Sequence, residues 1–270
     1  FCDVDPRDFT LDPEKLLRLI TPRTSAIVPV HVYGNVCRVE ELERIAREHG
    51  LKILYDAAHT FGVRYKGRGV GNYGDAACFS FHATKVFHTI EGGGITFRDA
   101  AAMEKLARLK NFGIAGPDEV TEVGANGKMN EFCAAMGLCN LRHVDGEIAK
   151  RKAVVEQYNE ILEGVPGLQL NPKQPDVQPN YAYYPGGVDP AVFGTDRDGV
   201  LETLARENVN GRKYFYPTTN SFACYGGAYD PEQTPIALEL SRRVLTLPLY
   251  ADLSVEDAAR IAGLVRRAGR

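Results

Sequence analysis

The sequence has no surplus of positive charge, no long apolar run and no paired cysteines. Its 32 Lys and Arg against 35 Asp and Glu leave a formal charge of −3. That lacks the basic footprint with which nucleic-acid-binding proteins neutralise phosphates, so no nucleic-acid partner is expected. No apolar stretch approaches the roughly 20 residues that cross a bilayer, and no secretory leader pattern is visible. Neither a membrane partner nor a metal is expected. The six cysteines form no C-x-x-C pair and no tight framework. Cys78, Cys133 and Cys139 lie in apolar stretches and read as small core residues, which fits a reducing cytoplasm. The glycines at 92–94 lack the spacing of dinucleotide and P-loop motifs and read as a turn. An initiator methionine is also missing: the chain opens FCDVDP, as a fragment or trimmed piece would.

The 270 residues that are present, 44% apolar and 25% charged, have the balance of an ordinary globular protein. Such a chain can bury a substantial core as one large α/β domain or two smaller ones. Residues 25–30 (SAIVPV), 52–55 (KILY), 76–81 (AACFSF) and 95–97 read as strands. Residues 39–49 place apolar side chains on one helical face closed by Gly50. A helix is expected over 99–110 with Asp99 as N-cap. A long one is expected from 130 to 163, with a bend near Gly146. Residues 168–170 and 181–184 look like further strands. The stretches TDRD (195–198) and SVED (254–257) have capping-box spacing. Strand and helix alternating in this way predict βαβ crossovers and a mostly parallel sheet, with a domain boundary near residue 145.

Three polar features follow predicted strands: His31–Gly34, Asp56–His59 and Ser80–Lys85. In open parallel sheets, ligands sit outside the carboxyl ends of the strands, so all three would face one crevice. A lysine and an aspartate in one crevice suit pyridoxal phosphate, the amine bonding its aldehyde and the carboxylate pairing with its ring nitrogen. A desolvated lysine also has a lowered pKa, which keeps part of it neutral. Each residue alone has an ordinary alternative: a solvated surface lysine, a turn-forming aspartate, structural histidines.

The ordered series DVDP (3–6), PVHVYG (29–34), DAAH (56–59), GDAACFSFHATK (74–85), EGGG (91–94) and NGKMNEFCAAMGL (126–138) runs on to RKYFYP (212–217) and LTLPLY (245–250). With it the chain resembles the DegT/DnrJ/EryC1/StrS sugar aminotransferases, and in particular those that aminate a dTDP-4-keto-6-deoxyhexose. The resemblance implies the type I fold of pyridoxal-phosphate enzymes. Residues 1–145 would form the cofactor-binding large domain and 146–270 a small α+β domain. It implies Lys85 as the Schiff-base lysine, Asp56 as partner of the pyridine nitrogen, and His59 near the ring. Ser80 would be a phosphate ligand, and Asn126 would reach the phosphate site of a second subunit in a homodimer. Tyr33, Arg212 and Tyr214 could line the sugar-nucleotide site, with packing an equal alternative.

The implied activity is transfer of an amino group, from L-glutamate, to a keto sugar nucleotide. Two alternatives stay open. One is a dehydratase or isomerase of the same family, whose branch carries histidine in place of the lysine. The other is a cofactor-binding sensor without activity. Family members carry further residues before DVDP, so exposed sheet edges and apolar surface are expected.

Overall fold

The computed structural model describes residues 1–269. Strand β1 (Ala26–Ile27) leads through helix α1 (Val39–His49) to β2 (Lys52–Asp56), β3 (Ala76–Ser80) and β4 (Gly93–Phe97). These strands form one sheet in that order. β1, β2 and β3 run parallel, and β4 returns antiparallel to β3. α1 forms because Val39, Leu42, Ile45 and Ala46 share one face and are buried. Gly50 ends it at φ 67, a left-handed conformation open to glycine at little cost. The α1 face packs with Ile27, Ile53, Tyr55 and Ala77 into one core.

The other face of this sheet is bare. Val28, Val30, Leu54 and Ile95 are all exposed there or beside it, and Cys78 is exposed with them. Of the three cysteines expected in the core, only Cys133 is buried; Cys139 is exposed on its helix. The expected turn at 92–94 is also corrected. Gly93 and Gly94 belong to β4, where a Cβ would stand 2.7 Å from the Phe79 carbonyl oxygen and 3.0 Å from the Phe81 ring respectively.

Helices α2 (Ala102–Leu109), α3 (Glu131–Asn140) and α4 (Val144–Leu162) follow. Asp99 closes the turn before α2, accepting from the Ala101 N–H at 2.9 Å, and is not the cap itself. The expected long helix divides at 141–143, whereas Gly146 lies inside α4. At the division, the Asn140 amide donates to the His88 carbonyl at 2.9 Å and ties the end of α3 to the loop beyond Lys85. That tie is long-range, so local composition did not mark it.

β5 (Leu168–Leu170), β6 (Tyr184–Val188), α5 (Arg197–Arg206), β7 (Val244–Leu247) and α6 (Val255–Ala268) are the main elements of the remaining chain. The second sheet is antiparallel in order β7-β6-β5. The strand expected at 181–184 begins only at Tyr184, because Tyr181 is left-handed at φ 53. The cap of α5 is Asp196, not Thr195: its carboxylate accepts from the Gly199 N–H at 2.9 Å. Ser254 caps α6 as expected, accepting from the Asp257 N–H at 3.0 Å. A second core gathers Tyr158 and Leu162 of α4, Val200 and Leu204 of α5, Leu245 and Leu247 of β7, and the inner face of α6. The boundary expected near residue 145 falls at the start of α4, a helix whose later turns pack into this core. No helix among the described residues is long and apolar enough to cross a membrane.

Candidate active site

β2 and β3 are neighbours with Asp56 opposite Cys78 in the register. Asp56 therefore ends β2 beside the end of β3, where Ser80 lies. The Asp56 backbone is held on both sides, its N–H donating to the Pro29 carbonyl at 2.9 Å and its carbonyl accepting from the His31 N–H at 3.0 Å. Its side chain accepts from the Ala58 N–H at 3.0 Å, which bends the chain out of the sheet towards His59.

After β3 the chain turns sharply, the Lys85 N–H donating to the His82 carbonyl at 2.9 Å. This brings Lys85 back over the strand ends. Burial pushes its amine below the ordinary lysine range, while Asp56, within electrostatic reach, acts the other way. Lys85 Nζ lies 3.5 Å from the Tyr183 hydroxyl. His59 is closely packed, and its ring stands 4.8 Å from that of Tyr183 and stacks on Phe215 at 5.6 Å. The Tyr33 N–H donates to His59 Nδ1 at 3.0 Å, so a neutral ring carries its proton on Nε2. Burial and then the Lys85 charge push His59 down to about 3, and it is neutral at ordinary pH.

Tyr33 is buried, and its hydroxyl donates to the Tyr214 carbonyl at 2.6 Å. It joins the first sheet's loops to the segment that carries Arg212 and Tyr214. Arg212 pairs in backbone bridging with Thr246 of β7 and donates from Nη1 to the Tyr214 hydroxyl. Asn126 lies apart from this group; it is exposed and bridges Asn111. Of the residues singled out from sequence, the fold thus brings Asp56, His59, Ser80 and Lys85 to one set of strand ends. Arg212 and Tyr214 approach from the second sheet.

Three residues at the site carried no signal in the sequence. Asn180 is buried and donates to the His59 and Phe61 carbonyls at 2.8 and 2.9 Å. This clamp places Tyr183 against Lys85. Arg151, from α4, donates to the Leu249 carbonyl at 3.0 Å. Lys85, Arg151, Tyr183, Arg212 and Tyr214 all line a cavity of about 670 Å³. The helix of Arg151 was legible as an element, and the strand expected through Tyr183 begins only after it, but nothing local marked which faces would meet.

The donor set fits pyridoxal phosphate. A desolvated amine, a carboxylate on the neighbouring strand end and a hydroxyl at Ser80 match the aldehyde, the ring nitrogen and the phosphate in chemistry, with an open cavity beside them.

Comparison with known proteins agrees with this chemistry. Residues 1–266 match the DegT/DnrJ/EryC1/StrS aminotransferase family. The dTDP-4-amino-4,6-dideoxy-D-glucose transaminase of Escherichia coli is 40% identical, over 98% of this chain and 72% of that protein. The dTDP-3-amino-3,4,6-trideoxy-alpha-D-glucose transaminase of Streptomyces venezuelae is 32% identical, over 95% of this chain and 67% of that one. Among solved structures, DesI in the presence of its TDP-sugar product superimposes with a TM-score of 0.92 at 37% identity, over 100% of this chain and 68% of that chain. DesV of S. venezuelae, in complex with a ketimine intermediate, gives 0.92 at 30% identity, over 100% and 71%. The chain belongs to the DegT/DnrJ/EryC1/StrS aminotransferase family.

Proposed function

We propose that this aminotransferase uses pyridoxal phosphate to move an amino group from an amino acid, L-glutamate, to a keto sugar nucleotide of the 4-keto-6-deoxyhexose type. The observation that carries the reading is the desolvated Lys85 amine over the ends of β2 and β3, in electrostatic reach of Asp56 and at the edge of a 670 Å³ cavity. The relatives named for transamination of dTDP-amino sugars support the substrate class.

When bound, pyridoxal phosphate supplies an aldehyde carbon that bonds an amine and a ring that spreads the charge left on the donor's Cα. The remaining work belongs to side chains of this chain. Lys85 would hold the cofactor covalently between turnovers. Once free, its Nζ takes the proton from the donor's Cα and returns one later, a task suited to an amine whose proton burial makes easier to lose. Asp56 would hold the ring nitrogen in its protonated form. His59, neutral and fixed through Nδ1, presents a flat face and an Nε2–H to the ring region without adding charge. Ser80 would take the phosphate. Asn126, exposed and away from this group, would serve the equivalent site of a second copy in a homodimer. Residues 1–145 would act as the cofactor-binding domain. Residues 146–270, which contribute Tyr183, Arg212 and Tyr214, would act as the substrate-facing one.

The test is product analysis. The protein with pyridoxal phosphate, L-glutamate and dTDP-4-keto-6-deoxyglucose should form 2-oxoglutarate and an amino sugar nucleotide in equal amounts. A deoxy sugar instead would assign dehydration, and no 2-oxoglutarate at all would remove the reading. Borohydride reduction should fix the cofactor's mass on the Lys85 peptide.

A further inference from the structure

The Lys85 amine and the Tyr183 hydroxyl meet where the two sheets face each other. Nζ lies 3.5 Å from the phenolic oxygen, and among the described residues neither group has another hydrogen-bond partner. Nζ stands 5.9 Å from the centre of the Tyr183 ring, so it faces the hydroxyl end and not the middle of the aromatic face. A contact of 3.5 Å is long for a hydrogen bond, as catalytic contacts commonly are before a substrate draws them together.

Tyr183 is held in this position by groups other than its hydroxyl. The Ala182 N–H donates to Asn180 Oδ1 at 3.1 Å, and the Asn180 amide is itself fixed on the His59 and Phe61 carbonyls. The segment before Tyr183 is thereby anchored to the chain that leaves β2 at Asp56. The ring packs edge-on against His59 at 4.8 Å, Tyr214 at 6.1 Å and Phe215 at 6.3 Å. A phenylalanine could make all of these ring contacts. Packing explains the ring but gives the hydroxyl no task, and the hydroxyl's one polar neighbour is a reactive amine.

A phenol suits an amine that changes charge. Its oxygen accepts from an ammonium and its O–H donates to a neutral amine, so one group can stay bonded in both states. Burial, and then Tyr214, push the Tyr183 phenol up, while Arg212 and Arg151 pull it down by less. It therefore keeps its proton at ordinary pH. Burial pushes Lys85 the other way and makes its proton easier to lose.

We propose that Tyr183 is a positioning residue of the amino-transfer reaction, its hydroxyl holding Lys85 Nζ against the donor's Cα once that amine is free. The role rests on the amino-transfer reading above. In the step it assists, the Cα–H bond breaks, an N–H bond forms at Nζ, and the electron pair stays behind on the donor side. Nζ becomes an ammonium, and the Tyr183 hydroxyl turns from donor to acceptor without losing its own proton. A lysine stem has many rotamers, and one fixed partner limits how many of them Nζ visits.

Tyr183→Phe removes the hydroxyl and keeps the ring. Its melting temperature should match the parent's, since the hydroxyl is bonded to nothing but Lys85 among the described residues. In a single turnover of the cofactor-loaded protein with L-glutamate, formation of 2-oxoglutarate should slow by about tenfold or more, the worth of one hydrogen bond to a charged group. The deuterium isotope effect with Cα-deuterated glutamate should rise, because proton transfer then limits the rate. A second readout uses the protein without cofactor. The midpoint pH for acetylation of Lys85 by acetic anhydride, followed on its peptide by mass spectrometry, should fall in Tyr183→Phe, because the ammonium loses an acceptor. Asp56 and His59 facing Lys85, and Tyr214, Arg212 and Arg151 facing Tyr183, are the same in both proteins, so the shift reports the hydroxyl. If either the isotope effect or the midpoint stays unchanged in the folded variant, the proposal is overturned even where the rate falls, because a ring that only shapes the cavity moves neither. A parent that makes no 2-oxoglutarate removes the amino-transfer reading and the role with it, while the midpoint still shows whether the hydroxyl holds Nζ. Normal parent turnover beside an unaltered Tyr183→Phe removes the positioning role alone.

Discussion

β2 and β7 bury their side chains in different ways. β2 alternates, with Lys52 and Leu54 exposed and Ile53 and Tyr55 buried. β7 is buried at all four positions from Val244 to Leu247. The first sheet is covered by α1 on one face and left bare on the other. The second is enclosed: Leu245 and Leu247 pack into the core of α4, α5 and α6, and Val244 meets Phe9 and Tyr33 from the other side. The difference separates stability from chemistry. The enclosed sheet has little room for a ligand in its interior. The reactive groups collect at the seam, where Lys85 comes from the first sheet and Tyr183 and Arg212 from the second.

The largest expected effect tests the seam. Lys85→Ala should lower amine transfer by about 100- to 10,000-fold, the usual worth of a positioned acid–base group, and remove cofactor mass from the protein while leaving its melting temperature near that of the parent. Retained transfer would place the chemistry elsewhere. Next is the contrast of the two sheets. Leu204→Ala, in the enclosed core, should cost about 2–5 kcal/mol in denaturant unfolding. Leu54→Ala, on the bare face, should stay within about 0.5 kcal/mol. Equal losses would mean that the bare face is covered in solution.

The clamp between the two regions comes third. Asn180→Ala removes the buried amide that the His59 and Phe61 carbonyls accept from and should cost about 1–3 kcal/mol. It should also raise KM more than an equally destabilising change in α5, because Tyr183 loses its anchor.

The last effect is an acid limb. His31 is fully buried in the first region, stacked on Tyr55, with Nδ1 accepting from the Cys37 N–H at 3.0 Å, and burial holds it down at about 3. The unfolded chain takes that proton near pH 6.5, so folding stability is full above that value and falls as the pH drops below it. The slope approaches about 1.4 kcal/mol per pH unit for one such group, and His59 adds to it. A melting temperature that stayed flat from pH 7 to 5 would show that neither histidine is held neutral.

Much of this was readable from particular residues. The spacing of Val39, Leu42, Ile45 and Ala46 marks α1, and Ser254 with Asp257 marks the start of α6. Asp56 and Lys85, each just beyond a β-rich stretch, pointed to one crevice because parallel strands end on the same side. Other features were hidden for a common reason. The break at 141–143 depends on Asn140 meeting His88, and the late start of β6 goes with Asn180 meeting His59 and Phe61. The burial of Cys133 but not Cys78 depends on which face of an element is covered, which apolar neighbours in sequence do not reveal.

Helix periodicity and the Ser254 cap are local, since each involves residues a few positions apart, and the amino-acid sequence alone determined them. Which charges share the cavity was decided only by tertiary structure. Lys85, Arg151 and Arg212 come from three separate segments and outnumber the two lining carboxylates, Glu147 and Asp252, both of which pair with Lys150. Electrostatic balance depends on distance in space and on burial, and neither can be read from position along the chain.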